Sequence, residues 1–231
     1  MAEGSYSQFC PVAMAAEILC TRWTVVLLRE LVCGSTRFNE LRRGVPRMSP
    51  ALLTKRLRDL EAAGIVTRAP TGGGEIFEYR LTPAGHDLKP VIEAIGFWGQ
   101  RWVESEASLQ NLDPDLLMWD MRRSLDTRPM PRRRSTIQFI YGDQPPARRN
   151  YWLIVEPDKA VDLCSVDPGF EVDLYVTTDL RSMTEIWMGL KTVARAKDEG
   201  RLQVSGSRKL EAALQTWLGL SPFAKEKKLV A

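Results

Sequence analysis

Residues 48–83 read MSPALLTKRLRDLEAAGIVTRAPTGGGEIFEYRLTP, and this stretch decides the fold of the first half of the chain. Ser49 is suited to cap a helix, since its hydroxyl accepts a bond from a free first-turn N–H. Pro50 stands at the first helical position, where its missing N–H costs nothing. Leu53, Leu57 and Leu60 recur at i, i+4 and i+7, a one-faced helical stripe. At about 100° per residue, Ala51, Thr54, Lys55 and Arg58 fall on the opposite face. Gly64 ends the helix in the manner of a C′ glycine. Residues 65–69 and 76–81 then read as strands, rich in β-branched and aromatic side chains. Between them Pro70-Thr71-Gly72-Gly73-Gly74-Glu75 forms a glycine-rich hairpin tip.

A short basic helix followed by a hairpin is the sequence form of a winged helix-turn-helix, whose second helix enters the major groove of DNA. The residues before it fit. A helix opens at Cys10-Pro11 and runs to about Cys20, with proline at its first position. Thr21 is placed to cap a second helix over 22–32, whose Trp23, Val26, Leu27 and Leu31 form an apolar face. Ser35-Thr36-Arg37 reads as a connector, and 38–43 as a short helix with Phe38 and Leu41 inward. Thr82-Pro83 starts a further helix that runs to about Ser105. It carries an apolar strip that includes Val91, Ile95, Trp98 and Trp102.

The chain has 231 residues, enough for two domains. A formal net charge of +3 says little, but ten arginines and lysines between Arg22 and Arg68 crowd the first third, which suits phosphate as it also suits a solvated face. The four cysteines, Cys10, Cys20, Cys33 and Cys164, have neither metal-ligand nor disulfide-framework spacing, which fits a reducing cytoplasm. The single histidine, His86, sits on an ordinary helical stretch. No nucleophile elbow, P-loop, dinucleotide fingerprint, signal peptide or membrane-length apolar run is visible. The expectation is a cytoplasmic protein that is not an enzyme, with no cofactor, no metal and no membrane partner.

The first half also carries a resemblance. Cys10-Pro11, Arg22-Trp23, Leu28-Arg29-Glu30-Leu31, Arg37-Phe38-Asn39-Glu40-Leu41, Ser49-Pro50-Ala51-Leu52-Leu53-Thr54, Leu57-Arg58-Asp59-Leu60-Glu61 and Tyr79-Arg80-Leu81-Thr82-Pro83-Ala84-Gly85 resemble the HxlR family of bacterial winged-helix regulators over about residues 10–105. The resemblance implies a homodimeric transcriptional regulator that binds a double-stranded DNA operator. It also implies a dimer made by the helix over 83–105 together with the N-terminal one; packing of that strip against the chain's own second domain is the alternative. The triple-glycine wing tip is less basic than the family pattern. On the recognition helix, Thr54, Lys55 and Arg58 are candidates for base edges or nearby phosphates. Arg37, Asn39, Ser49 and Arg56 are better placed for the DNA backbone. Cys10 at a helix N-terminus is a redox candidate, because the helix dipole favours a thiolate there; the alternative is a small buried hydrophobe.

Residues 106–134 read as a helical linker, with a helix over 115–125 and the basic, proline-bearing run Arg128-Pro129-Met130-Pro131-Arg132-Arg133-Arg134. After Arg134 the pattern changes to strands at 136–141, 151–156, 160–165 and 172–178. A helix capped by Asp179, a helix over 193–197, a strand over 201–205 and a final helix over 207–220 follow. The fold class is α+β: a winged domain over 1–105, and a second α+β sheet-and-helix domain over 135–231. Asp173-Leu174-Tyr175-Val176-Thr177-Thr178-Asp179, Trp187-Met188-Gly189 and Gly200-Arg201-Leu202-Gln203-Val204-Ser205-Gly206 are similar to the C-terminal half of sterol carrier protein type 2-like domains. That resemblance implies an apolar small-molecule ligand held between sheet and helices. Trp152, Tyr175, Met183, Trp187, Met188 and Trp217 are the candidate walls; the other reading is that they fill a core.

Overall fold

A computed structural model describes residues 5–71 and 76–230 and divides the chain into two units, Met1–Gly96 and Phe97–Ala231. The expected wing tip, Gly72-Gly73-Gly74-Glu75, lies outside the described residues.

In the first unit, α1 (Pro11–Leu19), α2 (Thr24–Val32), α3 (Phe38–Gly44) and α4 (Pro50–Ala62) precede the antiparallel hairpin of β1 (Val66–Thr71) and β2 (Ile76–Leu81). The leucine stripe of α4 is wholly buried and meets Leu27, Leu28 and Leu31 of α2 and Leu41 of α3. Ser35-Thr36-Arg37 does more than connect. The carbonyl of Thr36 accepts the Tyr79 N–H at 2.8 Å, and Arg37 bridges to Glu78. This short strand pairing pins the start of α3 to the wing.

Two expectations about helix ends are corrected. α2 starts at Thr24, not Arg22, because Trp23 adopts a left-handed conformation, φ +79°, and Thr21 therefore does not cap it. The single helix expected over 83–105 is two, α5 (Pro83–His86) and α6 (Lys89–Trp102). Pro90 has no N–H to donate, and its ring crowds the carbonyl four residues back, so one continuous helix cannot pass through it.

The second unit contains α7 (Ser105–Leu109), α8 (Pro114–Ser124), and then β3 (Ser135–Tyr141), β4 (Asn150–Val155), β5 (Asp162–Cys164) and β6 (Leu174–Thr178). Next come α9 (Leu180–Trp187), α10 (Val193–Asp198), β7 (Leu202–Gly206), α11 (Arg208–Ala212) and α12 (Leu214–Trp217). The strands form one sheet in the order β5-β4-β3-β6-β7, with β3 and β6 parallel and the other pairs antiparallel. Ile137, Phe139, Leu153, Leu174 and Val176 pack from one face of the sheet against α8, α9 and the last two helices. The final helix expected over 207–220 breaks at Ala213 into α11 and α12.

α8 is not part of a linker. Leu117, Met118 and Met121 join the core, and Tyr141 Oη lies 3.0 Å from Met118 Sδ. Tyr151 Oη donates to Asp115 at 2.7 Å, and Arg148 bonds both Asp113 and Asp115. Burial pushes both tyrosine hydroxyls above their ordinary pKa, so each stays protonated and able to donate. Within the same unit, the segment after α12 returns to the end of α6. Phe223 meets Phe97 edge-on at 5.3 Å and Glu226 pairs with Arg101 at 2.7 Å.

Candidate nucleic-acid interface

Ser49 Oγ accepts the Leu52 N–H at 3.3 Å, and Pro50 follows at the first turn, so α4 starts where the sequence places it. With Leu53, Leu57 and Leu60 buried, the helix has one orientation available, and that orientation leaves Lys55 and Arg58 exposed. Neither has an ion-pair partner among the described residues. The turn before α4 adds the exposed Arg47.

The other sequence candidates divide. Thr54 is half-buried, and its hydroxyl donates to the Pro50 carbonyl at 2.9 Å, which leaves its oxygen lone pairs and methyl for a partner. Arg56 is turned inward: only 14% of its side chain is exposed, Nε donates to the Arg22 carbonyl at 3.2 Å, and Nη1 bonds Asp59 at 2.8 Å. It fastens α4 to the turn before α2 and is not brought alongside Lys55 and Arg58. Arg37 and Asn39 are exposed at the start of α3. The Glu40 carboxylate accepts the N–H groups of Thr36 and Arg37 at 3.0 and 3.1 Å, which fixes the start of the helix.

Sequence reasoning missed the buried group that ties α2 to the end of α3. Glu30 is fully buried, bonded by Arg29 at 2.6 Å and Ser35 at 3.2 Å, while Arg29 also bonds the Gly44 carbonyl at 2.9 Å. A carboxylate three residues after Leu27, on the leucine face of α2, is the available signal, because a buried carboxylate requires partners.

Along α6, Val91, Ile95, Trp98 and Trp102 recur at helical spacing and are all exposed, Trp98 by 61%. α1 has no buried residue, and Val12, Met14 and Ile18 lie open on it. Cys10 precedes α1, and the backbone N–H groups of Ala13 and then Val12 pull its thiol below the ordinary cysteine value. All four cysteines are free thiols. Among the described residues no cluster of histidine, cysteine and carboxylate side chains could hold a metal, and no single helix is long and apolar enough to cross a membrane.

The six candidate ligand-wall residues do not converge. Met183, Trp187 and Trp217 are buried in the core of the second unit, where the Trp217 indole donates to the Leu210 carbonyl at 2.7 Å. Met188 packs at the edge of that core. Trp152 and Tyr175 both pair with Gln138 and so lie on the sheet face turned away from it. Strand alternation separates them: residues of odd and even parity on β4 and β6 look to opposite faces. In the basic run, Arg133 pairs with Asp173 at 2.6 Å, and Arg134 pairs with Glu156 and stacks on Phe170.

Comparison with known proteins covers the same region. The model of the HxlR-like helix-turn-helix family matches residues 18–107. The HTH-type transcriptional regulator YvaP of Bacillus subtilis is 34% identical over 100 residues, covering 42% of this chain and 93% of its own. The regulator sll1512 of Synechocystis is 36% identical over 100 residues, covering 42% and 73%. Among solved structures, the redox regulator HypR in its reduced form is 35% identical, covering 39% of this chain and 91% of that one, with a TM-score of 0.37. With nearly the whole of a curated regulator aligned to the half that carries α4 and the wing, this chain belongs to the HxlR-like helix-turn-helix family of transcriptional regulators.

Proposed function

We propose that the protein acts as a homodimer in which two copies of α4 enter successive major grooves of an operator. Lys55 and Arg58 contact base edges or the nearest phosphates, Thr54 supports them, and Ser49, Arg37 and Asn39 hold the DNA backbone. The observation that carries the reading is the pair Lys55 and Arg58, exposed on a helix whose opposite stripe is completely buried. Arg56 is assigned instead to holding the helix in place. The dimer surface is the exposed strip of α6 with the open face of α1. Selection of genomic fragments by the purified protein, followed by footprinting, tests the reading. Protection of two related half-sites is expected, and protection without sequence preference would refute it.

The second unit acts as a sensor or a scaffold for this dimer. An apolar small molecule is the ligand class that the sterol carrier-like resemblance implies. To enter between sheet and helices it has to displace side chains that fill the space, Met183 and Trp217 among them. Tryptophan fluorescence titrated with fatty acids separates the two roles, since a saturable change is expected only of a sensor.

A second reading is favoured by one observation. The Cys10 thiol is lowered by the first N–H groups of α1, next to the proposed dimer surface, so oxidation there would act on the association of two chains.

A further inference from the structure

The inner face of the wing continues beyond the core. Val66 pairs with Leu81, Arg68 with Tyr79 and Pro70 with Phe77, so these side chains share one face of the hairpin. Val66 is buried, but farther along the hairpin Arg68 and Phe77 are exposed. Together with Arg37, Phe38 and Arg43 they border an open cleft of about 640 Å³, within the range of small-molecule sites. An arginine on the core side of a strand is out of place by pattern alone. Here its guanidinium lies 3.8 Å over the Phe77 ring, the diagonal neighbour across the hairpin.

We propose that this cleft binds a small planar aromatic anion, which competes there with DNA. Stacking on Phe77 occupies one face of the Arg68 guanidinium and leaves its N–H edge, whose two parallel donors match a carboxylate. Arg68 has no carboxylate partner among the described residues. The cleft is bordered by three guanidinium groups and one carboxylate, that of Glu40, which already accepts two backbone N–H groups. The Glu78 carboxylate behind it is shared between Arg37 and Arg80. Charge alone would suit a DNA phosphate equally well. The rings of Phe38, Phe77 and Tyr79 decide for an aromatic ligand, because the backbone of duplex DNA offers no π-face to stack on them. The competition rests on the proposed DNA contacts of Arg37 and Asn39, which border the same cleft; the binding of the anion does not.

The probe is 2-naphthoate, titrated calorimetrically into the full chain without DNA. Acetate supplies the charge without the ring, and 2-naphthalenemethanol the ring without the charge. Saturable binding of 2-naphthoate is expected, with neither control binding. Arg68→Ala, at an exposed position, should weaken it at least about tenfold, the factor that corresponds to one charge-assisted hydrogen bond. Phe77→Ala, also exposed, should weaken it about two- to tenfold, the worth of one aromatic contact. Arg68→Lys should restore it only in part. No saturable binding up to millimolar concentration, or binding that neither alanine variant changes, would overturn the site. In a second arm, 2-naphthoate should release bound duplex DNA from the wild-type protein but not from Arg68→Ala. Retained DNA at saturating ligand would overturn the competition. Because the first arm contains no DNA, failure of the DNA-binding reading leaves its result standing.

Discussion

A Cβ placed on Gly44 would stand 1.8 Å from Cδ of Glu30. The glycine is therefore required by space, not by its backbone angles: it makes room for a buried carboxylate at the end of α3. Arg29 bonds that carboxylate and the Gly44 carbonyl together, so α2, the strand-like connector at Ser35 and the turn into α4 are joined at one point. Gly44→Ala should force Glu30 out of its bonds and destabilise the first unit by about 1–3 kcal/mol, as overpacking does. Urea unfolding measures this, and a midpoint equal to that of the wild type would show that the carboxylate has another place to go.

The recognition helix allows a separation of roles between adjacent residues. Lys55→Ala with Arg58→Ala should weaken operator binding by about 2–6 kcal/mol, the loss of two good base contacts, with stability unchanged. Arg56→Ala should do the reverse, because it removes bonds to the Arg22 carbonyl and to Asp59 at a cost of about 1 kcal/mol. Gel-shift titration at fixed salt and thermal melting, run on the same samples, check both. If Arg56→Ala affected only affinity, its inward placement would be irrelevant to function.

Trp98→Glu with Trp102→Glu places two charges on the exposed strip of α6. A dimer that buries this strip should dissociate, since an unpaired buried charge costs several kcal/mol. Light scattering at micromolar concentration is the measurement. A monomeric wild-type protein would remove the assigned surface.

Met118→Ala tests the place of α8. Its side chain is fully buried beside Tyr141 Oη, so truncation should cost about 2–5 kcal/mol through lost packing and the cavity left behind. A linker helix would tolerate the change with a shift in melting too small to measure. A fragment that starts at residue 135 should fail to fold, since it lacks Leu117, Met118 and Met121 from its core.

Cys10 should react with iodoacetamide with a midpoint below the roughly 8.5 of an unperturbed thiol. The sign follows from the cause: N–H groups at the start of α1 stabilise the thiolate, so the deprotonated form persists to lower pH. Mass spectrometry of the Cys10 peptide across a pH series gives the midpoint, and a value at or above that of free cysteine would end the redox reading.

Much of the architecture was legible in the residues themselves. The Ser49 cap, the 53-57-60 stripe and the hairpin after Gly64 are set by bonds and burial patterns within one turn or two strands, and they appear where local chemistry puts them. The order of strands and helices after Arg134 follows for the same reason, as does the exposure of Lys55 and Arg58, which is the complement of a buried stripe. Tertiary structure decided what depends on residues far apart in the chain. Arg56 carries the same charge and lies on the same helix as Arg58, and the Arg22 carbonyl, 34 residues away, holds it inward together with Asp59. The parallel pairing of β3 with β6 put Tyr175 beside Gln138 and across the sheet from Met183 and Trp187, so a plausible set of ligand walls was divided by strand parity. α8 became core because Leu117, Met118 and Met121 pack against a sheet that starts only at Ser135, and Tyr151 reaches Asp115 across 36 positions. Hydrophobic periodicity states which face of an element is buried, but not against what, because the free energy of burial depends on the area removed from water and not on the partner that removes it.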